Sequence, residues 1–345
     1  MIESIALILA SSLRLATPLM FAGLGEYMAE KAGMINISIE GMMLAGAFSA
    51  ILGATVTGTP VLGLVFGILA GVLIAFVHAT FSYRLTVNTY VIGLTLNLLV
   101  LGLTSFLLDA LDLGSAQLSK FEIPLLSDLP IVGQAVFNQR WPAYLLWILI
   151  PAVWFVMYRT RWGLDMRAIG ENPSAVDATG IDVLKRQRQG LLIAGAFAGL
   201  GGAYLSVAEV GLFNQNMTAA RGYVVIAAVI FGGWTIKGTI AGCLLFGAAD
   251  AMRLALPALG FTFNAQLLIA SPYILALVAM VVFARRSRAP AAYGQPFVRV
   301  LPMTHWPVAV VSSTKPWPSR TSGSGEVLAA SGSALAVRYF AETRM

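Results

Sequence analysis

Long apolar runs are the feature of this sequence that most constrains its fold. Nine of them follow one another through most of the chain: Ser4–Gly25, Ile39–Val56, Pro60–Tyr83, Asn88–Leu108, Pro142–Tyr158, Gly190–Ala208, Tyr223–Trp234, Gly238–Leu256 and Asn264–Ala284. The mean hydropathy of +0.80 exceeds that of a soluble protein. Backbone polar groups in lipid must pair within their own segment, so such runs predict membrane-spanning helices. We therefore expect an all-α, polytopic helical membrane protein with about eight to ten transmembrane segments.

Two of the runs are irregular. Tyr223–Trp234 is too short to span a bilayer alone, and Ile39–Val56 begins after a row of polar residues, so each is a candidate half-helix or re-entrant segment. A weak internal echo links Gly58–Ala75 with Trp234–Met252, because in each a short polar break precedes a helix with a row of small residues. This echo predicts an inverted repeat.

Basic residues predict the orientation of the chain. They concentrate in the loop 159–189 and directly after the last run: Arg159, Arg161, Arg167, Lys185, Arg186, Arg188, Arg285, Arg286 and Arg288. Short loops rich in Lys and Arg stay in the cytoplasm, and counting crossings back from them places the N-terminus outside and the C-terminus in the cytoplasm. Residues 1–288 then form the transmembrane domain. Residues 289–345, with scattered Pro, Ser and Gly, are predicted to be a disordered cytoplasmic tail.

Composition argues against several functional classes. The single cysteine, Cys243, excludes an intramolecular disulfide, and with only two histidines no metal site is expected. The net charge of +6 does not imply a nucleic acid partner, because the basic residues flank the apolar runs. The chain lacks a Gly-x-x-x-x-Gly-Lys-Ser/Thr phosphate loop, so we expect it neither to hydrolyse ATP nor to need a cofactor of its own. The runs also contain no Ser/His or Asp/Asp constellation typical of an intramembrane enzyme.

The longest charged passage among the apolar runs is Arg167–Gln187. Asn172 is predicted to cap a short helix that begins at Pro173 and stops at Gly180, and Asp182 to cap the next helix. A helix this short is unstable alone in water, so it should pack against something. Two interpretations remain open: the loop folds back on its own membrane domain, or it presents a docking helix to a cytoplasmic partner.

Four blocks of the sequence carry a family resemblance. They are GEYMAEKAGMINISIEGMMLAGA (Gly25–Ala47), GENPSAVDATGIDV (Gly170–Val183), GYVVIAAVIFGGW (Gly222–Trp234) and RRSRAPAAYGQPFV (Arg285–Val298). In this order they resemble the permease subunits of ATP-binding-cassette importers, within the superfamily of branched-chain amino acid, simple sugar and nucleoside permeases. They are most similar to the shorter permease of nucleoside-type systems. The resemblance extends over residues 1–298.

The resemblance implies a subunit of a type II importer in the lipid of a bacterial inner membrane. A second permease, in a heterodimer, would complete the path, ATP would be bound by separate ATPase subunits, and an extracytoplasmic substrate-binding protein would deliver the solute. Nucleosides are the expected solute, with simple sugars as an alternative and a secondary transporter as an alternative of another class. The family's ATPase-coupling loop matches Gly170, Glu171, Asn172, Pro173, Ala175, Ala178, Gly180 and Ile181. In this interpretation Gly170 and Gly180 shape the turns of the loop.

Polar residues near and within the apolar runs are candidates for the substrate path, because they are costly in lipid. Asn36, Ser38 and Glu40 alternate in INISIEG, as in an extended or broken segment, and they either line the path or tie down the helix break. Asn97, near mid-membrane, is predicted to bind the solute, and Asn88 to cap the start of its helix. The remaining path candidates are Phe213, as a stacking partner for a base, and Asn216.

Two ion pairs are expected among the charged residues of the later runs. Glu209 and Arg221 flank the turn between the sixth and seventh runs and are predicted to pair across it, or else to face the binding protein. Asp250 and Arg253 are three residues apart on one helix and should neutralise each other.

Overall fold

The computed structural model describes residues 2–122, 136–258, 289–295 and 297, together with the isolated positions 266, 270, 271, 274 and 278. Its elements in chain order are α1 (Ile2–Lys31), α2 (Ile39–Thr57), α3 (Pro60–Ala79), α4 (Thr89–Ala110), β1 (Lys120–Glu122), β2 (Asn138–Arg140), α5 (Trp141–Arg159), α6 (Arg161–Glu171), α7 (Pro173–Ala178), α8 (Val183–Ala203), α9 (Arg221–Phe231) and α10 (Ile236–Ala258). Helices α3 and α8 continue into π-helical turns, Thr80–Arg84 and Tyr204–Val210. The two short strands pair antiparallel, with Phe121 opposite Gln139.

Within the described part of the chain, seven helical segments are long and apolar enough to cross a bilayer. They are Ile8–Lys31, Ile39–Thr57, Pro60–Arg84, Thr89–Ala110, Trp141–Arg159, Val183–Val210 and Ile236–Leu256. These segments confirm the predicted polytopic helical membrane protein. Helix α9, with 11 residues, is the short half-helix expected from the seventh run. All but five positions of the ninth predicted segment, Asn264–Ala284, lie outside the described residues.

Glycine rows let three of the helices approach closely. Gly71 of α3 lies against Gly195 and Gly199 of α8, and Gly46 of α2 lies against Gly199 from another side. A methyl group at Gly71 would overlap the carbonyl oxygen of Gly195, so only glycine allows this approach. The small residues in these rows therefore pack against protein. Gly102 on α4, by contrast, has open space where a side chain would lie.

The outward faces of α3, α4 and α5 are apolar. Large exposed side chains on these faces include Leu69, Leu98, Phe106, Trp147 and Ile148. In a membrane protein such faces contact lipid or a second subunit, because neither environment requires polar side chains.

The two segments linked by the internal echo begin in a similar way. Gly58 has a left-handed backbone conformation (φ +69°) and lies just before α3, whereas Trp234 (φ +52°) lies just before α10. Each break is thus a tight turn into a glycine-containing helix. Their inverted relation stays a prediction.

The residues after the last apolar run extend the helical domain beyond its predicted end at residue 288. The compact unit continues past residue 288 to include the described residues 289–295 and 297. Residues 289–295 and Phe297, which we call the C-terminal strap, contact this domain: the backbone N–H of Ala292 donates to the carbonyl oxygen of Gly170 at 2.8 Å. The prediction of disorder is therefore wrong for the strap, because its backbone and ring side chains find partners there. The rest of the predicted tail lies outside the described residues.

Candidate functional site

The polar loop after α5 folds as the capping residues predict. Asn172 accepts a hydrogen bond from the backbone N–H of Ala175 at 3.0 Å and caps the six-residue helix α7. Asp182 accepts from the N–H of Lys185 at 3.0 Å and caps α8. Between the two helices Gly180 adopts φ +85°, a left-handed conformation that glycine reaches without strain. Local side-chain chemistry thus fixes the helix–turn–helix course of this loop.

Helix α7 has one anchored face and one open face. Val176 is buried in a small apolar cluster with Ile169 and Val183, against which Ile181 and Phe297 also pack. The opposite face is exposed and consists of small or short side chains: Ser174, Ala175, Ala178, Thr179 and Gly180. Helix α7 thus folds back on its own domain through Val176 and leaves an exposed face of small side chains on the other side, whereas docking of that face on a partner stays a prediction.

Gly170, assigned to the same loop, does not form a turn. It lies inside α6 and is buried, and a methyl group there would overlap the carbonyl oxygen of Lys31 at the end of α1. Its role is close approach of two backbones rather than a change of chain direction. Glu171, one residue later, is exposed, whereas Ile181 is half-buried against Phe297 and the other members of the Val176 cluster.

The C-terminal strap joins this loop to the end of α1 and to the start of α10. Gly294 donates its backbone N–H to the carbonyl oxygen of Gly33 at 2.9 Å. The Tyr293 ring packs edge-on against Trp234 with centroids 5.4 Å apart, and the indole of Trp234 donates to a carboxylate oxygen of Glu30 at 2.6 Å. Burial, reinforced by the nearby Glu30 carboxylate, raises the pKa of Tyr293 far above its usual range, so its hydroxyl stays protonated.

The break between α1 and α2 is held by buried side chains. The Asn36 amide donates to Glu26 at 2.8 Å, the Ser38 hydroxyl donates to Asn36 at 2.9 Å, and Ser38 also hydrogen-bonds His78 of α3 at 2.6 Å. Asn36 and Ser38 are essentially inaccessible to solvent. Of the two roles open for these residues, the geometry favours tying down the helix break, because neither side chain has free surface for a solute.

Glu40 anchors the segment that leads into α9. One carboxylate oxygen accepts from the Thr218 hydroxyl at 2.6 Å and from the Ala220 N–H at 2.9 Å, and the other accepts from the Gly222 N–H at 2.6 Å. A carboxylate at a helix N-terminus satisfies free N–H groups and interacts favourably with the helix dipole. Glu40 therefore positions the first turn of α9.

Asn97 is also fully engaged with protein. Its side-chain oxygen accepts from the Gly41 N–H at 2.8 Å, and its amide donates to the Ile37 carbonyl at 2.8 Å and to the Tyr223 hydroxyl at 2.7 Å. The residue joins α4 to the α1–α2 break and to α9, and both of its N–H donors are used within the protein, so the predicted contact with a solute stays a prediction. Asn88 caps α4 as predicted, by accepting from the Tyr90 N–H at 2.9 Å.

The segment between α8 and α9 carries the last two path candidates. Phe213 is buried and packs edge-on against Phe48, with ring centroids 5.2 Å apart, so neither face of the ring is open for stacking on a base. Asn216 is exposed and left-handed (φ +53°), as are Ala219 (φ +46°) and Ala220 (φ +63°). Left-handed residues other than glycine are uncommon, so three within five positions mark a strained segment.

A cavity of about 360 Å³ lies beside this segment. We call it the Arg14 cavity; its lining residues are Arg14, Leu15, Leu205, Glu209, Val210, Asn214, Met217 and Arg221. Arg14 lies 17 residues before Lys31 on α1, which corresponds to about 26 Å along the helix. Lys31 touches the loop at Gly170. The cavity and the exposed face of α7 are therefore at opposite ends of the domain.

Of the two ion pairs predicted near this cavity, the structure contains one and contradicts the other. Glu209 pairs with Arg14 at 3.1 Å, and Arg221 pairs with Asp250 at 3.1 Å. The predicted Glu209–Arg221 pair is wrong, because the carboxylate of Glu209 turns to α1 and the guanidinium of Arg221 turns to α10. Asp250 also contacts Arg253 at 3.3 Å, so the second predicted pair is present, within a cluster of three charged groups.

Arg14 was not singled out by the sequence analysis, although a signal for it exists. It is the one charged residue in the apolar run Ser4–Gly25. Charged residues inside a span are costly and therefore mark partners or functional sites. Asn214 carried no comparable signal, because it lies in an irregular segment. Among the described residues no group of three His, Cys, Asp or Glu side chains has a geometry suited to a metal ion.

Comparison with known proteins gives a match over most of the chain. Residues 8–285 match the protein family described as branched-chain amino acid transport system / permease component. No solved structure gives a significant match.

Three curated relatives are similar over most of their own length. The nucleoside ABC transporter permease protein NupC of Lactococcus lactis is 32% identical, over 86% of this chain and 98% of NupC. The guanosine ABC transporter permease protein NupQ of Bacillus subtilis is 32% identical over the same shares of the two chains. The putative glucose ABC transporter permease protein TsgC13 of Haloferax volcanii is 36% identical, over 72% of this chain and 77% of TsgC13.

Proposed function

This chain belongs to the family of permease components of branched-chain amino acid transport systems, and on that premise we propose that it is the membrane-spanning subunit of an ATP-binding-cassette importer for nucleosides. The relatives named for nucleoside and guanosine transport match it nearly end to end, which supports this solute class. The glucose permease relative keeps simple sugars as the second candidate. The single observation that supports the mechanism is that α7 is anchored to the domain on one face and exposed on the other.

We propose that α7 docks on a separate ATPase subunit. The exposed side chains of Ala175 and Ala178 are small, so a partner surface can approach the helix backbone closely. Val176 holds the opposite face to the domain, so a push on α7 is transmitted to α6 and α8 rather than absorbed by a free loop. A helix that fits a groove in this way needs one rigid side and one smooth side.

The orientation and the other partners follow from this assignment. With the loop in the cytoplasm of a bacterial cell, the N-terminus lies outside, the C-terminus inside, and the Arg14 cavity at the extracytoplasmic end, where a substrate-binding protein would dock. The apolar faces of α3, α4 and α5 offer surface for lipid and for a second permease. A second permease of different sequence would complete the path between the two subunits.

The test is uptake of radiolabelled guanosine by cells that make the chain with its ATPase, second permease and binding protein. The variant Ala175→Glu with Ala178→Glu places bulky charges on the exposed face, and Ala175→Ser with Ala178→Ser is the matched control that keeps the side chains small. We expect uptake to depend on the ATPase and to fall at least about tenfold in the Glu variant, with little change in the Ser variant. Membrane abundance of each variant is measured in parallel.

Three results would contradict the proposal in different ways. Uptake that persists without any ATPase would identify a secondary carrier. Full ATPase-dependent uptake by the Glu variant would keep the importer but remove α7 as the docking element. Uptake of glucose but not of guanosine would transfer the assignment to the sugar alternative.

A further inference from the structure

We propose that the Arg14 cavity is a subsite that holds the transported solute as it enters the membrane domain, and that it suits an uncharged solute with hydroxyl groups, of the size of a nucleoside. The inference rests on the proposed function and adds to it the location of a solute subsite and the chemical class of the solute. It concerns residues that neither the family match nor the capping motifs single out.

Size and wall chemistry favour a small amphipathic solute. The volume of about 360 Å³ lies in the range of ligand pockets. Leu15, Leu205, Val210 and Met217 supply apolar walls, whereas Arg14, Glu209, Asn214 and Arg221 supply polar ones. A nucleoside combines a flat ring with a hydroxyl-rich sugar, so it can place each half against a wall of matching polarity.

Two polar lining side chains carry buried atoms without a partner, and two others are open to solvent. Oxygen Oε2 of Glu209 pairs with Arg14, but Oε1 has no hydrogen-bond partner in the part of the chain that the structure describes. The Nε–H of Arg221 likewise has no partner among those residues. The Glu209 side chain is only 6% exposed, so its unpaired oxygen is deprived of solvent as well. Both atoms are closed to solvent, so a solute would be held by the lining groups that solvent reaches: the guanidinium of Arg14, which is 48% exposed, and the amide of Asn214.

Charge around the cavity argues against a phosphorylated solute. Arg14 is paired with Glu209, and Arg221 is paired with Asp250. A phosphate needs cations that are free to form charge-assisted hydrogen bonds, and both lining guanidinium groups already have carboxylate partners. An uncharged nucleoside or sugar meets the remaining donors and acceptors without disrupting either pair.

Part of the cavity wall comes from a segment with strained backbone, and Glu40 holds this segment in place through hydrogen bonds. Asn214 and Met217 come from the segment that contains left-handed Asn216, Ala219 and Ala220. Strained backbone persists only where surrounding contacts enforce it, and it concentrates at ligand clamps and active sites. Glu40 supplies that enforcement with its three hydrogen bonds to this region, so it is a positioning residue for the cavity.

The experiment uses proteoliposomes that contain the whole transporter with its ATPase, second permease and binding protein. Met217→Trp fills the cavity, and Leu212→Trp is the matched control, because Leu212 lies in the same segment, is 41% exposed and does not line the cavity. Guanosine import and binding-protein-stimulated ATP hydrolysis are measured on the same vesicles. We expect Met217→Trp to lower guanosine imported per ATP by roughly tenfold, with stimulated hydrolysis unchanged within about twofold. Leu212→Trp should match the wild type in both.

A milder variant covers the case in which the bulky one does not assemble. Asn214→Ala removes one lining amide at an exposed position, and we expect it to lower import per ATP by roughly threefold to tenfold. Wild-type import by both Met217→Trp and Asn214→Ala would overturn the subsite and leave the proposed function intact. Loss of stimulated ATP hydrolysis together with import would also overturn it, in favour of a docking surface for the binding protein. Wild-type vesicles that import neither guanosine nor glucose would overturn the proposed function and the subsite together.

Discussion

The carboxylate of Glu40 accepts the backbone N–H of Gly222 at 2.6 Å, across 182 residues of chain. Glu40 lies in the first turn of α2 and Gly222 in the first turn of α9, so one side chain fixes the relative position of these two helices. A charged side chain in this position is conspicuous in sequence. Two of its three partners are backbone N–H groups, which have no signature in sequence.

Replacement of Glu40 by Gln should destabilise the domain. The glutamine amide keeps the size of the side chain but replaces one carboxylate oxygen by an NH₂ group. That NH₂ group then faces a backbone N–H, and neither of the two donors has an acceptor. We expect a loss of about 1–3 kcal/mol in the free energy of unfolding, because a buried donor is left unpaired. The measurement is the thermal midpoint of the purified protein in lipid nanodiscs. Glu171→Gln, at an exposed position, is the control, and equal midpoints for the two variants would refute the anchoring role.

Gly71→Ala should disrupt packing between α3 and α8. The added methyl group would overlap the carbonyl oxygen of Gly195, and backbone atoms cannot move aside as a flexible side chain can. We expect destabilisation of about 1–3 kcal/mol, as for other overpacked cores. The control is Gly102→Ala, where the same change meets open space and should be neutral or stabilising by up to about 1 kcal/mol. Similar thermal midpoints for the two alanine variants would contradict this account of the glycine rows.

Phe297→Ala should weaken coupling rather than folding. Phe297 packs against the cluster that holds α7, and its loss leaves Val176 less firmly anchored while the spans remain packed. We expect guanosine uptake to fall by roughly threefold to tenfold at unchanged membrane abundance, because misplacement of a coupling element lowers turnover. Gln295→Ala, on the exposed side of the same strap, serves as the control. Uptake by Phe297→Ala at the wild-type rate would show that the strap does not support the loop.

Sequence patterns predicted features whose causes are local. The apolar runs predicted the spans, and Asn88, Asn172 and Asp182 were assigned as caps because a cap needs only its own side chain and a backbone N–H two or three residues later. Asn97 shows the limit of this reasoning. Its polarity within a span is visible in sequence, but its three partners lie 56 to 126 residues away and use both of its N–H donors.

The ion pair of Glu209 likewise shows that sequence does not reveal contacts between residues far apart in the chain. Proximity in sequence suggested Arg221, which is 12 residues away, but the partner is Arg14 at the other end of the chain. Helices that are distant in sequence become neighbours because their small residues pack together. The pattern of small residues does not indicate which charged residues will then lie close to each other. The C-terminal strap was missed for a related reason: a Pro-, Ala- and Gly-rich segment resembles a linker until its few ring side chains find their pockets.

The Arg14–Glu209 pair makes an asymmetric prediction, because the two side chains differ in burial. Arg14 has 48% of its side chain exposed, and Glu209 has 6%. Arg14→Gln removes the cation that pairs with a buried carboxylate and should cost about 1–3 kcal/mol of unfolding free energy, since the more weakly coupled Arg140 and Arg221 replace it only in part. Glu209→Gln leaves an arginine that water can still reach, so its cost should be below about 1 kcal/mol. The double variant should recover much of the stability lost in Arg14→Gln. Thermal midpoints of the three variants in nanodiscs measure this order, and a larger loss for Glu209→Gln than for Arg14→Gln would show that solvent reaches the carboxylate more readily than the guanidinium.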